Sequence, residues 1–387
     1  MVRRVTMGSS PSKASRVGAQ EERVSSLPHL ELNQSLGQLL AEHPLGLGDL
    51  EAVRLILRGN SVIDWNRAHF HSHEAVDDFL RLHSFDPADP EDQRHLRKVY
   101  DDAITYLREH LELQFPADLC NPADVRDIFL YASQTGGFRR HQILACVILK
   151  LMHVINHMEA AELRFFTPLS EAELMTMAEA RILEQLQRMK AEGFPLVSYM
   201  GNRKERHSVI TKLLAKRDNT AATVFDKLRF RLLTQRVDHI PGALAWLQRN
   251  LFPVNYTIPG QSHNNLVRFD QLLKSEPYAA YASQLQGWSL EDDEPFNPEE
   301  NPFSGSSYRM VNFIVDFPVR VDHAVDRRYV QRFGRAVYVT VEFQVMDSQT
   351  AQDNELGENS HELYKERQRA IVAARLRKGA RWKRQRR

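Results

Sequence analysis

Across residues 30–190 apolar side chains recur at helical spacing, broken by polar turns at Asp86-Pro87-Ala88-Asp89-Pro90 and Asn121-Pro122-Ala123-Asp124. Each turn reads as a helix start: Asp89 and Asn121 can accept the first free N–H groups, and Pro90 and Pro122 carry the preset φ of a first helical residue. Segment 91–113 is amphipathic. Segment 141–165, HQILACVILKLMHVINHMEAAELRF, is apolar on most faces and is expected as the central helix of this part. Ser170 followed by Glu173 forms a capping box for a further helix, which should end before Gly193 and Pro195.

Beyond that point the pattern changes. A basic helix is expected over 201–218, a strand near 228–233, a helix near 242–250, an irregular region over 254–307, strands near 308–319 and 335–346, and a final helix. Strands with intervening helices predict an α/β layered domain of the α+β kind, a mixed sheet flanked by helices, preceded by an all-α region. The expected divisions are a lead-in over 1–29, helices over 30–165, the sheet domain over 166–370 and a basic tail over 371–387. In the last strand Val337, Val339, Val341, Phe343 and Val345 form one apolar face, which leaves Glu342 and Gln344 on the other. Without a partner such a carboxylate belongs in solvent; with one it belongs in a site.

Composition narrows the class without choosing a partner. The 387 residues, 42% hydrophobic, suffice for a large core, and 51 Lys+Arg against 50 Asp+Glu leave no bulk field. Cys120 and Cys146 lie in apolar helical contexts and read as core thiols of a reducing compartment, so the cytoplasm is expected. No stretch approaches the roughly 18 consecutive apolar residues of a membrane span. The basic, Ser-rich start lacks a signal-peptide core. His153 and His157 sit four apart on an apolar helix and read as packed side chains.

Local charge and strand faces supply the candidate chemistry. On the helix expected over 201–218, Lys204, Ser208 and Lys212 fall at i, i+4 and i+8 on one side, a line suited to a polyphosphate or simply a solvated face. In FDKLRFRLLTQ, residues 225–235, Leu228, Phe230 and Leu232 oppose Arg229 and Arg231, with Asp226 at the strand entrance. Asp226 and Glu342 from neighbouring strands would make an oxygen-ligand site of the kind Mg²⁺ accepts. On 308–319, Tyr308 and Asn312 share the face opposite Val311, Phe313, Val315 and Phe317. The acidic, Pro-rich stretch 287–305 reads as a lid or an excursion.

The order of these pieces resembles the synthetase domain of the RelA/SpoT family, the alarmone (p)ppGpp synthetases, over residues 170–370. The family's Arg-x-Lys-x-x-x-Ser-x-x-x-Lys motif is matched by Lys204, Ser208 and Lys212, with Asn202 in the place of the leading Arg and Arg203 beside it. Its Asp-Leu-x-Gly-x-Arg strand resembles DKLRFR, with Asp226 and Arg231 in place and Arg229 where the family has Gly. Its Gly-Tyr-x-Ser-x-His strand resembles SYRMVNF, with Asn312 in the place of His. The most specific match is Glu-x-Gln-x-Arg-Thr followed by Ala-Glu-x-Gly-x-x-x-His-x-x-Tyr-Lys. Here Glu342, Gln344, Glu355, Gly357, His361, Tyr364 and Lys365 fall in register, and Met346 stands for Arg.

The resemblance implies a nucleotidyltransferase-like synthetase domain that moves pyrophosphate from ATP to the 3′-hydroxyl of GDP or GTP. It implies Lys204, Lys212 and Arg203 against the triphosphate, Ser208 as a donor, and Mg²⁺ on Asp226 and Glu342. Glu342 would be general base and Tyr308 would stack the acceptor base, while Arg231, Asn312, Gln344 and His361 complete the nucleotide contacts. Two other readings stay open: a relative acting on an adenine nucleotide or a tRNA 3′ end, for which the basic run 375–387 would contact RNA, and an inert nucleotide- or partner-binding protein. The N-terminal helices are left with regulation, recognition of a trigger, or assembly of a homo-oligomer.

Overall fold

Apolar periodicity builds a helical layer before the sheet begins. The helices are α1 (Leu47–Arg58), α2 (His73–Leu82), α3 (Pro90–Glu109), α4 (Ala117–Cys120), α5 (Arg126–Ser133), α6 (Arg139–Phe166) and α7 (Glu171–Ala191). They are followed by β1 (Leu196–Arg203), α8 (Arg206–Ala215), β2 (Leu228–Thr234), α9 (Ile240–Asn250), β3 (His263–Asn264) and α10 (Phe269–Lys274). The chain closes with β4 (Val311–Arg320), α11 (Arg327–Phe333), β5 (Ala336–Asp347), α12 (Ser348–Glu355) and α13 (His361–Arg384). This computed structural model describes residues 45–59, 69–134, 139–215, 227–275, 278, 308–355 and 361–384, all within one compact unit, Ser35–Arg387.

The expected caps form at two of three places. Asp89 Oδ1 accepts the Glu91 N–H at 2.7 Å, and Ser170 and Glu173 make the reciprocal capping box at 3.2 and 2.7 Å. At Asn121-Pro122 the helix does not start; it begins at Arg126, whose N–H is taken by Asp124 Oδ1 at 2.9 Å.

The sheet is five-stranded and mixed, in the order β1-β2-β5-β4-β3. Only β2 and β5 run parallel; the other pairs are antiparallel. One face carries Leu228, Phe230, Val311, Phe313, Val341 and Phe343, all fully buried. Against it lie α1, α7 and α9, with Phe252 reaching the Phe313 and Phe343 rings at 5.8 and 5.3 Å. The second core fills the space among α2, α3, α5 and α6. Helix α6 belongs to both, through Ile148 and Met152 in the second core and Leu163 in the first.

Two features of the sequence reading change. Residues 201–203, expected to open the basic helix, instead end strand β1, and the helix starts at Arg206; as an edge strand with a register shift between Leu196 and Ser198, β1 lacks a clean alternation. Residues 371–384 continue helix α13. The lead-in 1–29 and the acidic stretch 287–305 lie outside the described residues.

The other sheet face is polar, and α6 covers one end of it. Asn156 on α6 donates to Tyr338 Oη at 2.7 Å and to Tyr256 Oη at 3.1 Å, while the His157 ring stacks on Tyr338 with centroids 4.4 Å apart. A charged clamp fixes the adjoining edge. Arg335, at the entrance of β5, meets Asp89 and Glu91 at 2.6 Å each and Asp92 at 3.2 Å, and Arg320 at the end of β4 meets Asp92 at 2.9 Å.

Candidate nucleotide site on the polar sheet face

The β2–β5 register sets Arg229 opposite Glu342 and Arg231 opposite Gln344; the β4–β5 register sets Asn312 opposite Gln344. Residues directly opposite share a face, so the three strands bring Arg229, Arg231, Asn312, Glu342 and Gln344 together. This face does not meet solvent at its centre: Glu342 is 6% exposed and Gln344 5%.

A buried carboxylate is costly unless charge and hydrogen bonds compensate it. Glu342 has both. Arg229 Nε lies 2.5 Å from Oε2, a charge-assisted pair across the parallel strands. Gln344 Nε2 donates to Oε1 at 3.3 Å. Asn312, with its amide turned so that both atoms find partners, donates to Oε1 at 2.8 Å and to the Phe343 carbonyl at 3.2 Å. Gln344 Oε1 is buried and has no hydrogen-bond partner among the described residues.

The remaining expected residues are placed as follows. Arg203 pairs with Leu228 in the sheet and therefore lies on the apolar face, where it binds Glu179 at 2.9 Å and Thr176 at 3.0 Å on α7. Lys204 sits between β1 and α8, its N–H donating to the Lys227 carbonyl at 2.8 Å, so the helical line through Lys204, Ser208 and Lys212 does not form. Ser208 and Lys212 are on α8, one turn apart. Asn202, opposite Arg229, shares the Glu342 face, as does Met200 opposite Arg231. Asp226 and Gly357 lie outside the described residues, as do the side chains of His361 and Tyr364. Tyr308 precedes β4 in a segment held from both sides. Asn265 donates to the Tyr308 carbonyl at 2.7 Å, and Asn354 accepts from the Arg309 N–H at 2.9 Å and donates to its carbonyl at 2.7 Å. Met346, in the place of the resembled motif's Arg, is buried and takes a 3.7 Å contact from Asn354 Nδ2.

The sequence reading did not assign Arg229, Asn265 or Asn354 a structural task. Arg229 was visible as the opposing residue of an Asp-led strand. The two asparagines carry no local signal, because their partners lie 43 and 45 residues away.

Of the two carboxylates expected to hold Mg²⁺, only Glu342 is among the described residues, and its partners there compete with a cation. A divalent cation needs free carboxylate oxygens and is repelled by a guanidinium. Glu342 already faces Arg229 and two amide groups, and no cluster of three or more His, Cys, Asp and Glu side chains with metal-binding geometry occurs among the described residues.

Comparison with known proteins returns no matching family model and no matching curated protein. Solved structures do resemble the chain. The small alarmone synthetase 1 of Bacillus subtilis, bound to its product pppGpp, is 17% identical over 57% of this chain and 95% of its own, with a TM-score of 0.30. A GTP pyrophosphokinase family protein of Streptococcus pneumoniae is 13% identical over 53% and 83%, with a TM-score of 0.29. The small alarmone synthetase 2 of Bacillus subtilis is 12% identical over 55% and 96%, with a TM-score of 0.26.

Proposed function

We propose that the polar sheet face binds nucleotides and that the protein is a pyrophosphotransferase of RelA/SpoT type, moving pyrophosphate from ATP to the 3′-hydroxyl of a guanine nucleotide. One observation carries this reading: Glu342 and Gln344, which match one strand of the resembled family, and Asn312, which stands where a second strand of it has His, meet at the buried centre of the polar face, where Gln344 and Asn312 both donate to Glu342 Oε1. In the reaction the 3′-oxygen attacks the β-phosphorus of ATP, the bond from that phosphorus to the α–β bridging oxygen breaks, and AMP leaves with the electron pair. Glu342 takes the hydroxyl proton. Arg229 and Arg231 offset phosphoryl charge, and the open Gln344 Oε1 accepts an N–H from the acceptor.

The Arg229–Glu342 pair favours a second reading, a nucleotide-binding protein without transfer, because the guanidinium occupies the base. Incubation of the full chain with labelled ATP, MgCl₂ and GDP, GTP, ATP or tRNA in turn separates the two. Transfer predicts AMP release with GDP or GTP, reduced by about a hundredfold or more in Glu342→Gln. Transfer to tRNA that disappears when residues 375–387 are deleted would reassign the acceptor. Binding without AMP release from any acceptor would leave the second reading.

A further inference from the structure

Helix α6 is apolar on more sides than it buries. Ile148, Met152 and Leu163 enter the two cores, and Asn156 bonds to Tyr338 and Tyr256, all from one side of the helix. At about 100° per residue, Ile143, Val147, Leu151, Val154 and Met158 fall on the other side, within an arc of about 80°. Ile143 is 52% exposed and Met158 62%, while the three between them are half-buried. Phe165, 86% exposed, prolongs the strip by two turns. A surface helix that needed only solvent on this side would carry polar residues there.

The ends of the strip are charged, with opposite signs. Arg140 lies just before Ile143 and Glu162 one turn after Met158, both in line with the strip and both exposed. Neither makes an ion pair among the described residues. Each stands eleven residues from Leu151, one towards the N-terminus and one towards the C-terminus. The strip is therefore complementary to its own reversed copy. About a two-fold axis at Leu151, Arg140 meets the partner's Glu162 at both ends and Ile143 meets the partner's Met158.

Other occupants fit less well. The helix is long and apolar enough to cross a membrane, but its opposite side is anchored in the two cores and on the sheet, so it does not span one. A lipid surface calls for cations along the rim, and here one end carries Glu162. We propose that α6 is a homodimer interface, in which two copies of the helix pack antiparallel about Leu151 with Arg140 against the partner's Glu162. The contact runs about 33 Å from Arg140 to Glu162 and is one helix wide, small for an interface between chains, so the association is weak and depends on concentration. It does not rest on pyrophosphate transfer, because the strip faces away from the sheet.

Sedimentation velocity of the full chain between about 1 and 200 μM tests it, with the mass expected to rise from one chain to two. Met158→Asp, at an exposed position, should weaken the dimer about tenfold or more. Arg140→Glu should weaken it about fivefold, and Arg140→Glu with Glu162→Arg should restore it. Mild oxidation reads the orientation. Leu151→Cys, on the axis, should cross-link to itself beyond the level of the unaltered chain. Met158→Cys should not, since its two copies lie about 20 Å apart, yet it should link to Ile143→Cys when the two variants are mixed. A single chain at every concentration, a dimer unmoved by Met158→Asp, no rescue by the double charge reversal, or self-linking at Met158→Cys in place of Leu151→Cys overturns the proposal. Binding of single chains to phosphatidylserine vesicles that is lost in Met158→Asp would give the strip to lipid and overturns it as well.

Discussion

At the scale of single residues, Arg229 matters most. The motif that this strand resembles has Gly there, and the consequence of a long cation becomes visible only across the strand, where it sits 2.5 Å from Glu342. Removing one member of a buried pair strands the other charge. Arg229→Ala is therefore expected to destabilise the fold by roughly 3 kcal/mol, the low end for a broken buried pair because the arginine is 32% exposed. Adding Glu342→Gln to Arg229→Ala should recover much of that loss, and a double-mutant cycle read by urea denaturation checks both. Glu342, Gln344 and Asn312 were legible as candidates from strand alternation. The sequence does not show that they bond to one another, because two of the three come from neighbours in β5 and one from β4.

At the scale of elements, the turn from α11 into β5 is the least replaceable joint. Gly334 has φ 84° and ψ −163°, a backbone region open essentially to glycine alone. A Cβ there would lie 2.6 Å from His95 Nε2 on α3. The next residue, Arg335, anchors β5 to Asp89, Glu91 and Asp92 at the start of α3. Gly334→Ala is expected to cost about 1–3 kcal/mol from backbone strain alone, with His95 displaced in addition, seen as a lower melting temperature. The helices α3, α6 and α7 and the strands β2, β4 and β5 were readable because each has a strong period and a buried face. Strand β1 was not, because an edge strand with one neighbour and a register shift needs no alternation.

At the scale of the whole molecule, the seam between helices and sheet makes stability depend on pH. Burial depresses His83 to about 4, His153 to about 2 and His157 to about 4. The unfolded chain binds these protons near 6.5 and the folded chain does not, so stability is full above 6.5 and falls as pH drops towards 4. Asp316, raised to about 6 by burial, acts oppositely between 6 and 3.8, since the folded state takes its proton first. The three imidazoles outweigh one carboxyl. The loss should be on the order of 2 kcal/mol per histidine by pH 5, and the urea midpoint should shift down between pH 7.5 and pH 5.

Periodicity and capping chemistry are local, so the sequence alone determined helices α3, α6 and α7, the apolar face of the central strands and the residue types at Glu342, Gln344 and Asn312. The order of the motifs likewise pointed to one family without help from coordinates. Only the tertiary structure decided what each side chain meets. Strand pairing put Arg229 on Glu342 and turned Arg203 to the opposite face. The crossing of α6 buried His153, His157 and Asp316 between helix and sheet. Those outcomes depend on contacts between residues as far as 182 positions apart, as between Asn156 and Tyr338, and no local pattern encodes them.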